Sequence, residues 1–446
     1  MMEITLQDIL TARENRAAKQ KELLQKYQKP LICFTMNIAG PEKYNRDIAW
    51  GFRLGNHWLE IQLKDLPVLH REEAVLATGC ESYYVVDAPA ELIKLRAVQI
   101  EDSQPVARLF DMDVIDENGQ KLERTGFGFS ERTCLLCNNP AYICSRSRTH
   151  SVAALQAETL RLLQDAKKEQ LCQRIGEIAQ KSLLYEVCTT PKPGLVDCRN
   201  SGSHKDMDIF TFMSSSAALG SFFFRCAIIG AEHRDLAPRE VFDRLRFPGK
   251  LAEDAMYRAT KGINTHKGII FSLGILCAAC GYLQEDFHDP KAILALCKEM
   301  TQGLMEEFPS AGGKTVGETL YSQHGITGVR GQAAQGFPAV SEIGLPKLES
   351  GLQAGLSMND AGCAALLSLL SVTEDTNLIH RSSLEEQKAL CKEIAELLDK
   401  SPYPSREILA LLDDNFIAKN LSPGGSADLM ALTYFLYFIS QTEVTQ

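Results

Sequence analysis

Asp111 and Asp113 stand two residues apart in the run Ala107-Arg108-Leu109-Phe110-Asp111-Met112-Asp113-Val114, just before the turn residues Glu117-Asn118-Gly119. At strand spacing both carboxylates project from one face. Paired carboxylates are what a hard Mg²⁺ ion needs to hold a polyphosphate during an in-line displacement. Arg108 is then close enough to neutralise charge developing on that phosphate. The plainer alternative is a hairpin with solvated aspartates on its outer face. Farther along, Cys134, Cys137, Cys144 and His150 have the ligand types and close spacing of a Cys3His zinc site. Reduced, half-buried thiols are the alternative there. Arg132, Arg146 and Arg148, interleaved with them, suit phosphate or an acidic partner, because guanidinium forks grip oxyanions bidentately.

A second concentration of chemistry lies beyond residue 180. Glu186, Lys192, Asp197, Asn200, His204 and Asp206 fall within 21 residues, in a loop broken by Pro191, Pro193 and Gly194. Loops of this kind, held between rigid helices, are where catalytic groups converge; a solvated loop of mixed charges is the alternative. Asn264-Thr265-His266-Lys267-Gly268 precedes an apolar run, so the free N–H groups of a helix start would join His266 and Lys267 in binding phosphate. An Asn or Thr cap beside a solvated lysine explains the same residues. Ser422-Pro423-Gly424-Gly425-Ser426-Ala427-Asp428 repeats the arrangement, with Gly424, Gly425 and Ser426 small enough to admit a ligand. Arg330, between Gly328 and Gly331, adds a cation. Asp375-Thr376-Asn377, followed by His380-Arg381, adds a carboxylate, an amide and further cations, with a buried structural ion pair as the alternative for Asp375.

The elements that must hold these groups change character near residue 168. Before it, short strand-like runs such as Leu31–Met36 and Tyr83–Val86 end in turn signals, which indicates an α+β domain. After it, long apolar helical patterns follow: Asp208–Ala231, His266–Leu283, Pro290–Phe308, Leu384–Leu398 and Ser426–Ser440. That half reads as a larger all-α domain. The expected division is therefore 1–168 and 169–446, with the charged helix Ala153–Gln170 as linker. A chain of 446 residues accommodates two or three domains, at about 100–200 residues each. A net charge of −10 argues against generic binding to nucleic acid or an anionic membrane. No basic segment followed by an apolar run opens the chain. The apolar segments around Phe222–Phe224 and Ile269–Phe271 are expected to fall short of the ~20 residues a span needs. The expectation is a soluble, cytoplasmic protein whose 14 cysteines are reduced.

Arg13-Glu14-Asn15-Arg16, Thr35–Pro41, Ala107–Asp113 and Arg132–His150 resemble the apo-citrate lyase phosphoribosyl-dephospho-CoA transferase family over residues 1–168. The resemblance implies transfer of a phosphoribosyl-dephospho-CoA group from its triphosphate form to a serine of the acyl-carrier (gamma) subunit of citrate lyase. Asp111 and Asp113 would hold Mg²⁺, the serine hydroxyl would attack the α-phosphorus, and pyrophosphate would leave. Gln104 stands where many relatives carry a histidine.

Thr190–Asp197, Asn264–Gly268, Gly328–Gly331 with Gly336-Phe337-Pro338, Asp375–Asn377 and Ser422–Asp428 resemble the triphosphoribosyl-dephospho-CoA synthase family. That resemblance implies an all-helical enzyme that joins ATP to 3′-dephospho-CoA and releases adenine. The 2′-hydroxyl of dephospho-CoA must displace adenine from the ribose C1′ through an oxocarbenium-like state, which calls for a carboxylate base, a donor on adenine and cations on the triphosphate. On that reading Asp197 or Asp206 is the base or a metal ligand, and His204 or Asn200 contacts adenine. Lys192, His266, Lys267 and Arg330 bind the triphosphate, with Glu186 and Asp375 as further metal candidates. Asn264, Asn377, Gly424, Gly425 and Ser426 complete the substrate site. Gln332 replaces an acidic residue found in many relatives. One half would then make the prosthetic group that the other installs. The competing readings are a zinc-stabilised docking module for the N-terminal half and a ribosyl-nucleotide hydrolase for the helical half.

Overall fold

The computed structural model describes residues 5–307 and 316–442. The chain divides into two compact units, residues 1–167 and 168–445.

The first unit contains α1 (Leu6–Tyr27), β1 (Leu31–Met36), α2 (Arg46–Leu63), β2 (Val68–Leu76), β3 (Gly79–Val86), α3 (Ala90–Glu101), β4 (Phe110–Ile115) and α4 (Ala141–Ser147). The strands form one antiparallel sheet in the order β2-β3-β1-β4. β1 is a nearly unbroken apolar run because both of its faces are covered. Ile32 and Phe34, with Met112 and Val114 of β4, enter a core shared with Phe52, Leu59, Ile93 and Ala97 of α2 and α3. Leu31 and Cys33 face the other way, with Tyr83, Val85 and Leu23 of α1. Period-two alternation therefore decides where the aspartates go. Asp111 and Asp113 lie opposite Thr35 and Cys33, on the α1 side of an edge strand. Local caps set the helix starts: Thr5 and Asp8 form a reciprocal capping box on α1, and Asn45 accepts from the Ile48 amide on α2.

α5 (Val152–Cys188) is longer than the expected linker. Its early residues Leu162 and Leu163 belong to the α+β core, and Cys172, Ile175, Ala179 and Leu183 to the helical core.

The helical unit continues with α6 (Ile209–Glu232), α7 (Pro238–Ala259), α8 (Lys267–Leu283), α9 (Pro290–Met300), α10 (Val316–His324), α11 (Gly328–Ala334) and α12 (Leu345–Gln353). It ends with α13 (Met358–Val372), α14 (Thr376–Arg381), α15 (Leu384–Lys400), α16 (Arg406–Ala418) and α17 (Gly424–Ser440). The helix expected over Pro290–Phe308 stops at Met300, capped through Thr301, before Gly303 turns into left-handed backbone at φ 76°; Phe308 lies outside the described residues. α6 and α8 approach unusually closely, since a Cβ on Gly230 would stand 1.9 Å from the Ala278 carbonyl oxygen and one on Gly281 2.0 Å from that of Ala227.

Contrary to the expectation from sequence, two helical stretches are long and apolar enough to cross a membrane, Ile209–Glu232 and Lys267–Asp286. Their apolar residues Phe223, Cys226, Leu273 and Leu276 instead fill the core of the helical unit, the ordinary reason for a soluble-fold helix to be apolar all round. All 14 cysteines are free thiols.

Candidate active sites

In the first unit, antiparallel register sets Glu81, Thr35 and Asp111 side by side across three strands. Glu81 is buried and paired with Arg16 of α1 at 2.7 Å, and it accepts from the Tyr83 hydroxyl at 2.6 Å. Asp113 is paired with Lys121 at 2.7 Å. Asp111 has neither a hydrogen bond nor an ion pair among the described residues. Burial, and then the like charge of Asp113, push its carboxyl above the usual range, with Arg132 and Lys121 opposing. Glu101 of α3 ties the edge down: it accepts from the Met112 amide at 2.8 Å and pairs with Arg132 at 2.5 Å. Arg108 is not free to meet phosphate with its whole fork. Its Nη2 donates to the carbonyl oxygens of Thr133 and Cys134 at 3.2 and 2.5 Å and to the Thr133 hydroxyl at 3.1 Å. A concavity of about 880 Å³ in this unit includes Lys121 and Asp116 but neither Asp111 nor Asp113.

The loop that Arg108 grips carries the cysteines. Ligand atoms of Cys134, Cys137, Cys144 and His150 all lie within 4.8 Å of one another. The Cys137 and Cys144 sulfurs are 3.5 Å apart, and His150 Nε2 is 3.3 Å from Cys137 Sγ. Tetrahedral zinc with Zn–S bonds near 2.3 Å would set sulfurs about 3.7 Å apart. Burial raises the Cys134 thiol, but hydrogen bonds from the Leu136 and Cys137 amides and from neighbouring thiols leave it below its ordinary value.

In the helical unit a cavity of about 240 Å³ gathers side chains from the loop after α5 and from the starts of α8, α14 and α17. Its walls include Glu186, Lys192, His204, Asp206, Asn264, His266, Lys267, Asn377, Gly424 and Asp428. Lys192 is almost wholly buried; its Nζ donates to the Glu186 carbonyl oxygen at 2.8 Å and pairs with that residue's carboxylate. Burial raises the Glu186 carboxyl and Lys192 opposes it. Asp428 has no hydrogen-bond or ion-pair partner among the described residues. Burial pushes its carboxyl well above the ordinary range, with Glu186 and Asp375 adding to the shift. It also explains Gly268, where a Cβ would sit 2.0 Å from Asp428 Oδ2. Gly268→Ala is therefore expected to displace this carboxylate and lower the activity of this half about a hundredfold, as a 1 Å misplacement can, with the fold intact by circular dichroism; an unchanged rate would show that Asp428 is not used where it stands.

Residues 4–166 match the family model for apo-citrate lyase phosphoribosyl-dephospho-CoA transferase, CitX, and residues 172–445 that for ATP:dephospho-CoA triphosphoribosyl transferase, CitG. The protein named CitXG of Haemophilus influenzae is 36% identical over 97% of this chain and 96% of its own length. That of Leuconostoc mesenteroides subsp. cremoris is 32% identical over 97% of each. The chain belongs to the CitXG family. It is a bifunctional transferase with a CitX half and a CitG half. The 2-(5''-triphosphoribosyl)-3'-dephosphocoenzyme-A synthase of Pectobacterium atrosepticum is 40% identical over 59% of this chain and 88% of its own length.

Several residues singled out from sequence have structural duties in the CitG half. Asp197 is buried and does not line the cavity. Its oxygens accept from the Thr190 hydroxyl and from the amides of Lys192, Arg199 and Asn200, so it organises the loop. Asn200 donates to Asp413 at 2.7 Å and accepts from the Gly202 amide, outside the cavity. Asp375 accepts from the amides of Asn377, Leu378 and Ser426 and from the Ser426 hydroxyl, joining the starts of α14 and α17. Its acceptor capacity is used by the fold, as is the hydroxyl hydrogen of Ser426, and Gly425 packs on the Asp375 carboxylate.

The expected triphosphate cations also divide. Arg330 is 3.5 Å from Glu318 and away from the cavity walls. Lys192 is neutralised by Glu186, and Lys267, at the exposed rim, pairs with Glu253 at 3.0 Å. Burial, with Lys192 nearby, pushes the His266 imidazole down to about 3, so it is a neutral donor and acceptor rather than a cation. Burial and Arg381 lower His204 as well; its Nδ1 accepts from Arg381 at 3.2 Å and its Nε2 meets the Ser422 hydroxyl at 2.9 Å. Asp206 sits beside it, 3.9 Å away and 64% exposed. Arg381, singled out from sequence only as a cation after Asp375–Asn377, lines the cavity, and so does Asp428, whose signal was a carboxylate four residues into a glycine-started helix.

Proposed function

We propose that the CitG half joins ATP to 3′-dephospho-CoA with release of adenine. The CitX half then transfers phosphoribosyl-dephospho-CoA to a serine of the citrate lyase acyl-carrier subunit, with pyrophosphate leaving. The domains that carry these reactions are 1–168 and 169–446, in the reducing cytoplasm. The observation that carries the reading is the CitG-half cavity, where four sequence-distant motifs deliver Glu186, Lys192, His266, Asn377 and Asp428 to one small chamber. In it Asp428 is placed to take the proton from the dephospho-CoA 2′-hydroxyl, since a carboxylate with a raised pKa is a stronger base than a solvated one. Lys267 and Arg381 face the triphosphate. Adenine release followed by chromatography tests this reaction: it should require dephospho-CoA, whereas release from ATP alone at the same rate would make the half a hydrolase.

In the CitX half, Asp111 and Asp113 fit Mg²⁺, because they share a strand face and Lys121 forms an ion pair with only one of them. The ion would supply charge neutralisation for the departing pyrophosphate. The two aspartates hold it, while Arg132 and Lys121 bring positive charge to the same face.

The same half holds one Zn²⁺ in Cys134, Cys137, Cys144 and His150, as a closed structural site that fixes the loop anchored by Arg108. Metal analysis of the purified chain should give one zinc per molecule. Its removal by a strong chelator should lower the melting temperature of this half, because binding energy at a structural zinc site is folding energy. A chain free of metal and indifferent to chelator would contradict this assignment.

A further inference from the structure

Among the described residues, one fully enclosed nitrogen in the CitG-half cavity has no hydrogen-bond partner: His266 Nε2, on a residue 3% exposed. An orphaned buried donor or acceptor costs about 1–3 kcal/mol, so such an atom calls for a ligand. The other ring nitrogen is engaged. The Thr265 hydroxyl donates to Ser215 Oγ at 2.8 Å, and Ser215 Oγ is 2.7 Å from His266 Nδ1. A hydroxyl has a single hydrogen. Among the described residues Ser215 Oγ has no acceptor for that hydrogen other than Nδ1, so the hydrogen goes to Nδ1 and the ring proton of the neutral imidazole resides on Nε2. Ser215 is not a cavity wall and His266 is, so the Nε2–H end is the one left for the cavity.

We infer that the Thr265–Ser215 hydroxyl relay holds His266 as its Nε2–H tautomer and that this N–H donates to a ring nitrogen of the adenine leaving group. The surroundings choose the acceptor. Asp428 and Glu186 share the chamber and would repel a phosphate oxygen beside them, whereas an uncharged heteroaromatic ring suits the walls made by Phe212, Leu195, Val196 and Met207. The Phe212 ring stands edge-on to His266 with centroids 5.1 Å apart. In the reaction the C1′–N9 bond breaks with its electron pair moving to the base, and the 2′-oxygen forms the new bond to C1′. The hydroxyl proton passes to Asp428 and ends on adenine. His266 transfers no proton; its hydrogen bond strengthens as negative charge grows on the departing ring, which is where a fixed donor lowers the barrier. Ser215 and Thr265 are positioning residues.

The inference rests on the proposed synthase reaction, and the two are separable. Full-length wild-type and His266→Phe proteins are assayed for adenine release, and their binding of adenine, 3-deazaadenine, 7-deazaadenine and inorganic triphosphate is measured by calorimetry. The substitution should lower kcat about a hundredfold, in line with loss of one fixed donor. It should weaken adenine about tenfold, the 1.4 kcal/mol scale of a neutral hydrogen bond. One of the two deaza analogues should bind equally to both proteins, which identifies the acceptor nitrogen. Equal weakening of all three bases, or weakening of triphosphate alone, would overturn the inference. Ser215→Ala provides the test should His266→Phe fail to fold: in ¹⁵N spectra of histidine-labelled protein the wild-type His266 should show the Nε2–H tautomer, and the variant should show both, with weaker adenine binding. Wild-type protein that releases no adenine would instead sink the synthase reading itself, whereas active wild-type protein with an unimpaired His266→Phe variant would sink only the role given to His266.

Discussion

Replacing Asp428 with Asn is expected to reduce adenine release by about 10²–10⁴-fold, the range contributed by a positioned general base. Carrier modification from supplied triphosphoribosyl-dephospho-CoA should continue at the wild-type rate. The substitution keeps the shape of the side chain, so Gly268 still clears it and the start of α8 is undisturbed. What disappears is a cavity carboxylate without a hydrogen-bond or ion-pair partner among the described residues, whereas Glu186 is tied to Lys192 and Asp206 is mostly exposed. The pH profile follows from the sign of the shift. Burial, with Glu186 and Asp375, raises the Asp428 carboxyl above the ordinary carboxylate range. The base form is therefore lost at a higher pH than for a solvated aspartate, and kcat/KM for adenine release should fall on the acid side through that raised value. Initial rates of adenine release across pH, in wild-type and Asp428→Asn proteins, check both statements. A variant with full activity, or an acid limb in the usual carboxylate range, would remove Asp428 from the role of base.

The second large effect belongs to the other half. Asp111→Asn is expected to abolish carrier modification, by a factor of at least about 10², while leaving adenine release unchanged. Asp111 is half-buried, without a partner, and held above its ordinary range by burial and by Asp113. A divalent cation relieves that repulsion, so the two aspartates together accept a charge that neither stabilises alone. The amide keeps the size of the side chain and removes the charge the ion requires. Intact mass of the acyl-carrier subunit, after incubation with supplied triphosphoribosyl-dephospho-CoA and Mg²⁺, is the readout. Persistent modification by the variant would mean that the CitX half does its chemistry elsewhere.

Much of this arrangement was legible in the residues themselves, for reasons that differ from site to site. The strand Leu31–Met36 was plain because both of its faces are buried, and the spacing of Asp111 and Asp113 placed them on one face because side chains alternate whatever the partner strand. The Cys134–His150 group was legible because ligand-type side chains close in sequence need only one loop to converge. The CitG half was harder to read residue by residue. Asp197 is expected from sequence as a base or metal ligand because a loop-organising carboxylate and a catalytic one have the same sequence signature. The four donors around its oxygens become visible only in the fold. Asp375 was ambiguous for the same reason, with the starts of two helices spending its lone pairs. From Asn264–Gly268 alone His266 is expected among the triphosphate binders, because its burial beside Lys192 cannot be seen there. Asp428 was passed over beside the more conspicuous glycines, although its partner signal, Gly268 in a different motif, becomes meaningful only once α8 and α17 are in contact.

The central claim is that one chain makes the triphosphoribosyl intermediate and then spends its triphosphate on attachment. The most direct measurement is to incubate the full-length protein with ATP, Mg²⁺, dephospho-CoA and apo acyl-carrier subunit, following free adenine and carrier mass in the same mass-spectrometry run. The account predicts adenine release accompanied by a carrier mass gain equal to one phosphoribosyl-dephospho-CoA group, both absent when dephospho-CoA is omitted. Adenine without a mass gain would contradict the assignment of the CitX half, and a reaction yielding neither would contradict the account as a whole.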